Sequence, residues 1–176
     1  MAVTDSQPRK LSSTQPSGKH RLRSMIYIFM GILLTPVVVL GFLSFTAKPP
    51  HNIGPNNGRL SDCPKSPNCV CSQASDDLHF IEAIVIPENC EEPLKRMREI
   101  VSKMPGATVI DERPDYLYAV FRSRIFRFPD DVEFLLDDAA GVIQVRSASR
   151  VGKSDLGVNR SRVEQIRARF HHANLN

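Results

Sequence analysis

A chain of 176 residues with net charge +4 and a pI near 9.0 is long enough for one ordinary domain plus an extension. Its positive excess lies wholly before residue 25, where five Lys/Arg stand against one Asp; from Lys48 onward there are eighteen of each sign. That distribution argues against nucleic acid as a partner, because a duplex binder carries its basic face on the folded part.

Residues 1–24 are basic, rich in Ser, Pro and Gln, and nearly devoid of apolar side chains, so a disordered tail is expected. Residues 25–47 then run for 23 positions without a charge. At helical rise this covers roughly the 30 Å of a bilayer's hydrocarbon core. Pro36, near the middle, is tolerated in a membrane helix. A cleaved signal peptide has a shorter apolar core and a small-x-small site; Phe45 spoils that site ahead of Ala47. Cys63 lies too far downstream for a lipoprotein. An uncleaved single-pass anchor is therefore expected. Five Lys/Arg precede it, and only Lys48 and Arg59 follow closely, which places residues 1–24 in the cytoplasm and residues 48–176 across the inner membrane, in the periplasm.

Residues 48–62 are rich in Pro, Gly and Asn and read as a spacer. Cys63, Cys69, Cys71 and Cys90 all lie beyond the anchor, where an even count implies disulfides. Three pairings are open. Cys63–Cys69 with Cys71–Cys90 is preferred, because Pro64 and Pro67 turn the chain between the first two. The spacing gives little support for zinc, and no metal or cofactor is expected.

Residues 77–87 alternate and then become continuously apolar, as a strand does. Leu94, Met97, Val101 and Met104 recur at helical spacing over residues 90–104; Pro93 suits the first turn, and Pro105-Gly106 ends it. Strands are expected at residues 107–111, 115–122, 132–136 and 142–146. Residues 124–128 extend the second of these or form their own strand. Residues 137–141 form a hairpin turn. A final helix over residues 161–170 has Ser161 and Glu164 in a capping-box relation, with Val163, Ile166 and Phe170 on one face. Strands this close together pair as antiparallel hairpins. The expectation is an α+β domain over residues 63–176, with an antiparallel sheet of four to five strands and two helices on one face.

The densest chemistry lies in residues 146–162. Gly152 and Gly157 free the backbone for tight turns. Arg146, Arg150 and Arg160 could clamp a carboxylate or phosphate bidentately, with Ser147, Ser149 and Asn159 orienting it. Asp130, Asp131 and Asp155 would hold the arginines. The bland alternative is a latch in which Arg146 and Arg150 pair with those aspartates and lock the loop to the sheet. Gly152-Lys153-Ser154 resembles the end of a phosphate-binding loop but lacks its first glycine. Asp130, Asp131 and Glu133, with Asp137 and Asp138 beyond, form the main acidic cluster, in which Asp130 or Asp131 could serve a hydrolase as base or metal ligand. Strand alternation, however, puts Asp131 and Glu133 on one face and Val132, Phe134 and Leu136 on the other. No nucleophile–base arrangement stands out, so no catalytic residue is assigned. Asn159-Arg160-Ser161 matches a glycosylation sequon, a pattern that often occurs by chance.

Three blocks, CPKSPNCVCSQ at 63–73, YLYAVFRSRIFRFPDDVEF at 116–134 and VRSASRVGKSDLGVNRSRVEQIR at 145–167, resemble the family called domain of unknown function 1499, found in bacteria and plastids. The resemblance covers roughly residues 60–170. It places Cys63, Ser66, Pro67, Asn68, Cys69, Ser72, Phe128, Asp130, Asp131, Arg146, Ser147, Ser149, Arg150, Gly152, Asp155, Gly157, Asn159 and Arg160 on motif positions. Cys71 departs from the pattern, where a small residue such as serine is expected. The family implies a small domain, often exported or membrane-attached, and no established activity. The sequence thus points to a membrane-anchored binding module, with an anionic envelope component as ligand. A hydrolase and an accessory subunit of an envelope complex are the alternatives.

Overall fold

A computed structural model describes residues 18–172, with side chains from Leu22 onward. The expected tail lies outside the described residues as far as residue 17. Helix α1 runs Gly18–Thr46 and contains Pro36. It takes in residues 18–24, because adding a turn to a helix already nucleated costs little. Its segment Leu22–Thr46 has mean hydropathy 2.5 and is long and apolar enough to cross a membrane. Such a helix serves as an anchor or as a signal sequence. The chain divides into two compact units, Met1–Val39 and Leu40–Asn176.

The second unit carries the α+β fold. Strands β1 (Cys69–Cys71) and β2 (Ile84–Val85) precede helix α2 (Pro93–Ser102). Then come β3 (Ala107–Glu112), β4 (Tyr116–Arg122), β5 (Pro129–Asp137), β6 (Val142–Ser149) and helix α3 (Val158–His172). The sheet order is β1-β6-β5-β4-β3, with β2 beside the other half of β6. All pairs are antiparallel. The class, the hairpin succession and the two helices agree with the sequence reading; six strands replace four to five.

The differences have local causes. Strand β1 is unexpected, since its two cysteines and one valine carry no alternation. The strand expected over residues 77–87 shrinks to two residues, because Asp76 caps a turn through the His79 amide at 3.1 Å. Residues 124–128 form a turn instead of a strand: Phe128 N donates to Ser123 Oγ at 2.9 Å, and Ser123 N donates to the Phe128 carbonyl at 3.0 Å. Helix α3 starts at Val158, three residues before the expected capping box. Asp155 is its cap, accepting from the Asn159 amide at 2.7 Å and supplying the acceptor that an N-terminus lacks. Glu164 pairs instead with Arg167 at 2.9 Å.

Both faces of the sheet are covered. On one, α2 and α3 bury Met97, Val101, Val163, Ile166 and Phe170 against Leu117, Ala119, Val132, Phe134 and Val145. On the other, Leu60 and Ile53 join Tyr116, Tyr118, Val120, Leu135 and Cys71. Residues 52–62, expected as a spacer, are thus the lid over the second face. Gly54 N donates to Glu133 Oε1 at 2.8 Å, and Leu60 N donates to Gln73 Oε1 at 2.7 Å. Cys63 and Ala74 pack against the same cluster.

Cys63 and Cys69 form a disulfide with Cα atoms 5.6 Å apart, which contributes about 2 kcal/mol by constraining the unfolded chain. The expected Cys71–Cys90 bond is absent: both thiols are free. Cys71 belongs to the lid face and Cys90 to the helix face, so the sheet stands between them. Burial pushes the Cys71 thiol above its ordinary value, which suppresses the reactive thiolate. In the folded, non-reduced protein, iodoacetamide is expected to label Cys90 first and Cys71 only after unfolding, as read by peptide mass spectrometry. Equal labelling rates would contradict this placement.

Candidate functional site

Alternation along β4, β5 and β6 sorts the singled-out side chains onto opposite faces. Register sets Glu133 opposite Arg146, and Arg146 opposite Cys71. Asp131, Glu133 and Arg146 therefore join Tyr116 and Tyr118 under the lid. Asp130, Ser147 and Ser149 face the helices. The sequence-level cluster is two networks separated by the sheet.

Under the lid, Arg146 Nη1 donates to Glu133 Oε2 at 3.0 Å, with side chains 4% and 0% exposed. Glu133 Oε1 also accepts from the Tyr116 hydroxyl at 2.8 Å. Arg150 reaches in from the loop after β6. Its Nε lies 3.0 Å from both Asp131 oxygens and its Nη2 lies 2.7 Å from Oδ1. Tyr118 closes the set, donating to Asp131 at 2.6 Å and accepting from Arg150 at 3.0 Å. Burial first, then the neighbouring carboxylates, pushes both tyrosines above their ordinary range. They stay phenols and donors at neutral pH. The Asp131 hydrogen bond pushes Arg150 up as well.

On the helix face, Asn159 is the hub. It accepts from Ser147 Oγ at 2.6 Å and Arg162 Nη1 at 2.5 Å, and donates to the Asn68 carbonyl at 3.0 Å and Ser149 Oγ at 2.9 Å. Arg162 also pairs with Asp130 and lies 5.0 Å over the Phe121 ring. Asn68 ties the β6–α3 loop down through the Gly152 carbonyl at 2.7 Å. Asn159 is fully buried, so its sequon offers no acceptor in the folded protein.

Of the six proposed ligand contacts, Arg146 and Arg150 share the lid face, while Ser147, Ser149 and Asn159 belong to the other network. Arg160 stands apart, donating to the Leu78 carbonyl at 3.2 Å. Among the three supporting aspartates, Asp131 holds Arg150, Asp130 holds Arg162, and Asp155 caps α3. Adjacent on one strand, Asp130 and Asp131 point to opposite faces and do not form a catalytic carboxylate pair. Arg162 lies in the arginine-rich stretch but was not among the expected ligand contacts, and Tyr116, Tyr118 and Gly54 had been given no role at the site. Glu133 belongs to the acidic cluster seen in the sequence, and its place opposite Arg146 follows from Asp137 pairing with Val142 instead of lying in the turn expected at residues 137–141.

A recess of ≈ 340 Å³ opens beside the lid network. Lys48, Arg146 and Arg150 line it, against Asp62 and Asp131, with Cys63 of the disulfide at its edge. Lys48 is exposed and forms no ion pair among the described residues. Arg146 is incompletely used: its Nε is buried and has no hydrogen-bond partner among the described residues. Such an orphaned donor costs about 1–3 kcal/mol.

The model of the family described as Protein of unknown function (DUF1499) matches residues 59–170, and the chain belongs to that family. No curated protein and no solved structure matches it.

Proposed function

We propose that this member of the domain of unknown function 1499 family is a membrane-anchored binding module. Its recess takes an anionic group of an envelope component. The flanking charges support an uncleaved anchor with the N-terminus cytoplasmic and the domain periplasmic, and the Cys63–Cys69 disulfide suits an oxidising compartment. The observation that carries the binding reading is Arg146, which lines the recess while one of its buried donors lacks a partner. Arg146 and Arg150 are held in place beforehand by Glu133 and Asp131, so little side-chain entropy is lost when a ligand arrives. Lys48 supplies the unpaired charge at the rim.

The test uses the full chain in detergent micelles. Inorganic phosphate is expected to raise its melting temperature in a saturable way, since a ligand binding only the native state stabilises it. Lys48→Glu changes an exposed residue, so it should preserve the fold and abolish most of that rise. A melting curve indifferent to phosphate, or a rise unchanged in Lys48→Glu, would remove the reading.

A further inference from the structure

Two loops leave the same end of the sheet: residues 123–128 between β4 and β5, and residues 150–157 between β6 and α3. They flank a common groove of ≈ 550 Å³. At their tips Ile125 is 82% exposed and Leu156 is 94% exposed. Leu156 holds φ 55°, a left-handed backbone that disfavours side chains with a Cβ. The loop thus keeps a bare leucine pointing outward in a conformation that works against it. Around these tips Arg122, Arg124, Arg127 and Lys153 are exposed. None of the four takes part in an ion pair among the described residues. At this same end Arg150 Nη1 donates to the Ala47 carbonyl at 3.3 Å.

We propose that this end of the domain docks on an anionic bilayer surface. Ile125 and Leu156 enter the boundary between headgroups and acyl chains, and the four cations meet lipid phosphates. Apolar tips ringed by Lys and Arg are the composition of interfacial membrane contacts, and basic residues gain from a negatively charged leaflet. Four exposed cations without an ion-pair partner among the described residues, set around two bare apolar tips, favour an anionic lipid surface over a protein partner. The inference is independent of the recess. Its consequence is orientation: docking fixes which way the domain stands.

The chain has no tryptophan, so a single introduced indole reports its own surroundings. Leu156→Trp is placed in the full chain in nanodiscs of phosphatidylglycerol and phosphatidylcholine. The control is Val85→Trp, at a 58% exposed position paired with Val142 beside the β5–β6 turn, at the other end of the sheet. Leu156→Trp is expected to emit at shorter wavelength and to lose fluorescence when the acyl chains carry bromine; Val85→Trp is expected to do neither. Adding Arg124→Glu and Lys153→Glu should weaken the quenching, and neutral phosphatidylcholine discs should do the same. Emission from Leu156→Trp that stays long in wavelength and open to iodide overturns the proposal. So does equal bromine quenching of both variants, or a shift seen only in native membranes, which assigns the surface to a protein partner.

Discussion

Replacing Glu133 by alanine is expected to destabilise the domain by about 3–5 kcal/mol, the cost of stranding a buried charge. Glu133 is wholly enclosed and accepts from Arg146, the Tyr116 hydroxyl and the Gly54 amide. Alanine leaves all three donors without that acceptor beneath the lid. A domain of this size has only about 5–15 kcal/mol to lose, so urea unfolding of the full chain in micelles should show a large fall in midpoint. The double variant Glu133→Leu with Arg146→Met removes both charges at similar volume and is expected to recover much of the loss. A midpoint in Glu133→Ala close to that of the parent protein would mean that the lid network is loose and solvated.

The second large effect is expected at Asn159 on the opposite face. Asn159→Ala deletes an acceptor for Ser147 and Arg162 and a donor to Asn68 and Ser149. Unmade bonds to buried partners cost about 1–3 kcal/mol each, partly offset by relaxation, so a total near 3 kcal/mol is expected. The loss should be local first. Amide hydrogen exchange should quicken across residues 147–159, where β6 passes into α3, before it quickens in β4 and β5. Uniform quickening over the sheet, or none, would contradict the hub role.

These two networks explain what the sequence disclosed and what it withheld. The helix α2 face, the β5–β6 hairpin and the antiparallel sheet were legible because apolar spacing and turn residues act locally. Strand β1 was not, because Cys69, Val70 and Cys71 earn their place only by pairing with the last residues of β6. The lid was hidden for a related reason. Ile53 and Leu60 look too sparse to bury, and their partners are Tyr116, Tyr118 and Leu135, far along the chain. The arginine-rich stretch was visible as composition. Its division into two faces follows from strand β6 continuing to Ser149, three residues beyond its expected end. Once those residues lie on a strand, Arg146 and Ser147 must point opposite ways.

Arginine side-chain NMR of the full chain, titrated with inorganic phosphate, tests the central claim most directly. Arg146, short of partners in the recess wall, and Arg150 beside it are expected to shift their Nε–H resonances together and to saturate. Arg162, on the other face of the sheet and already tied to Asp130 and Asn159, is expected to stay still. Motionless Arg146 and Arg150 resonances, or an equal drift in all three, would contradict the account.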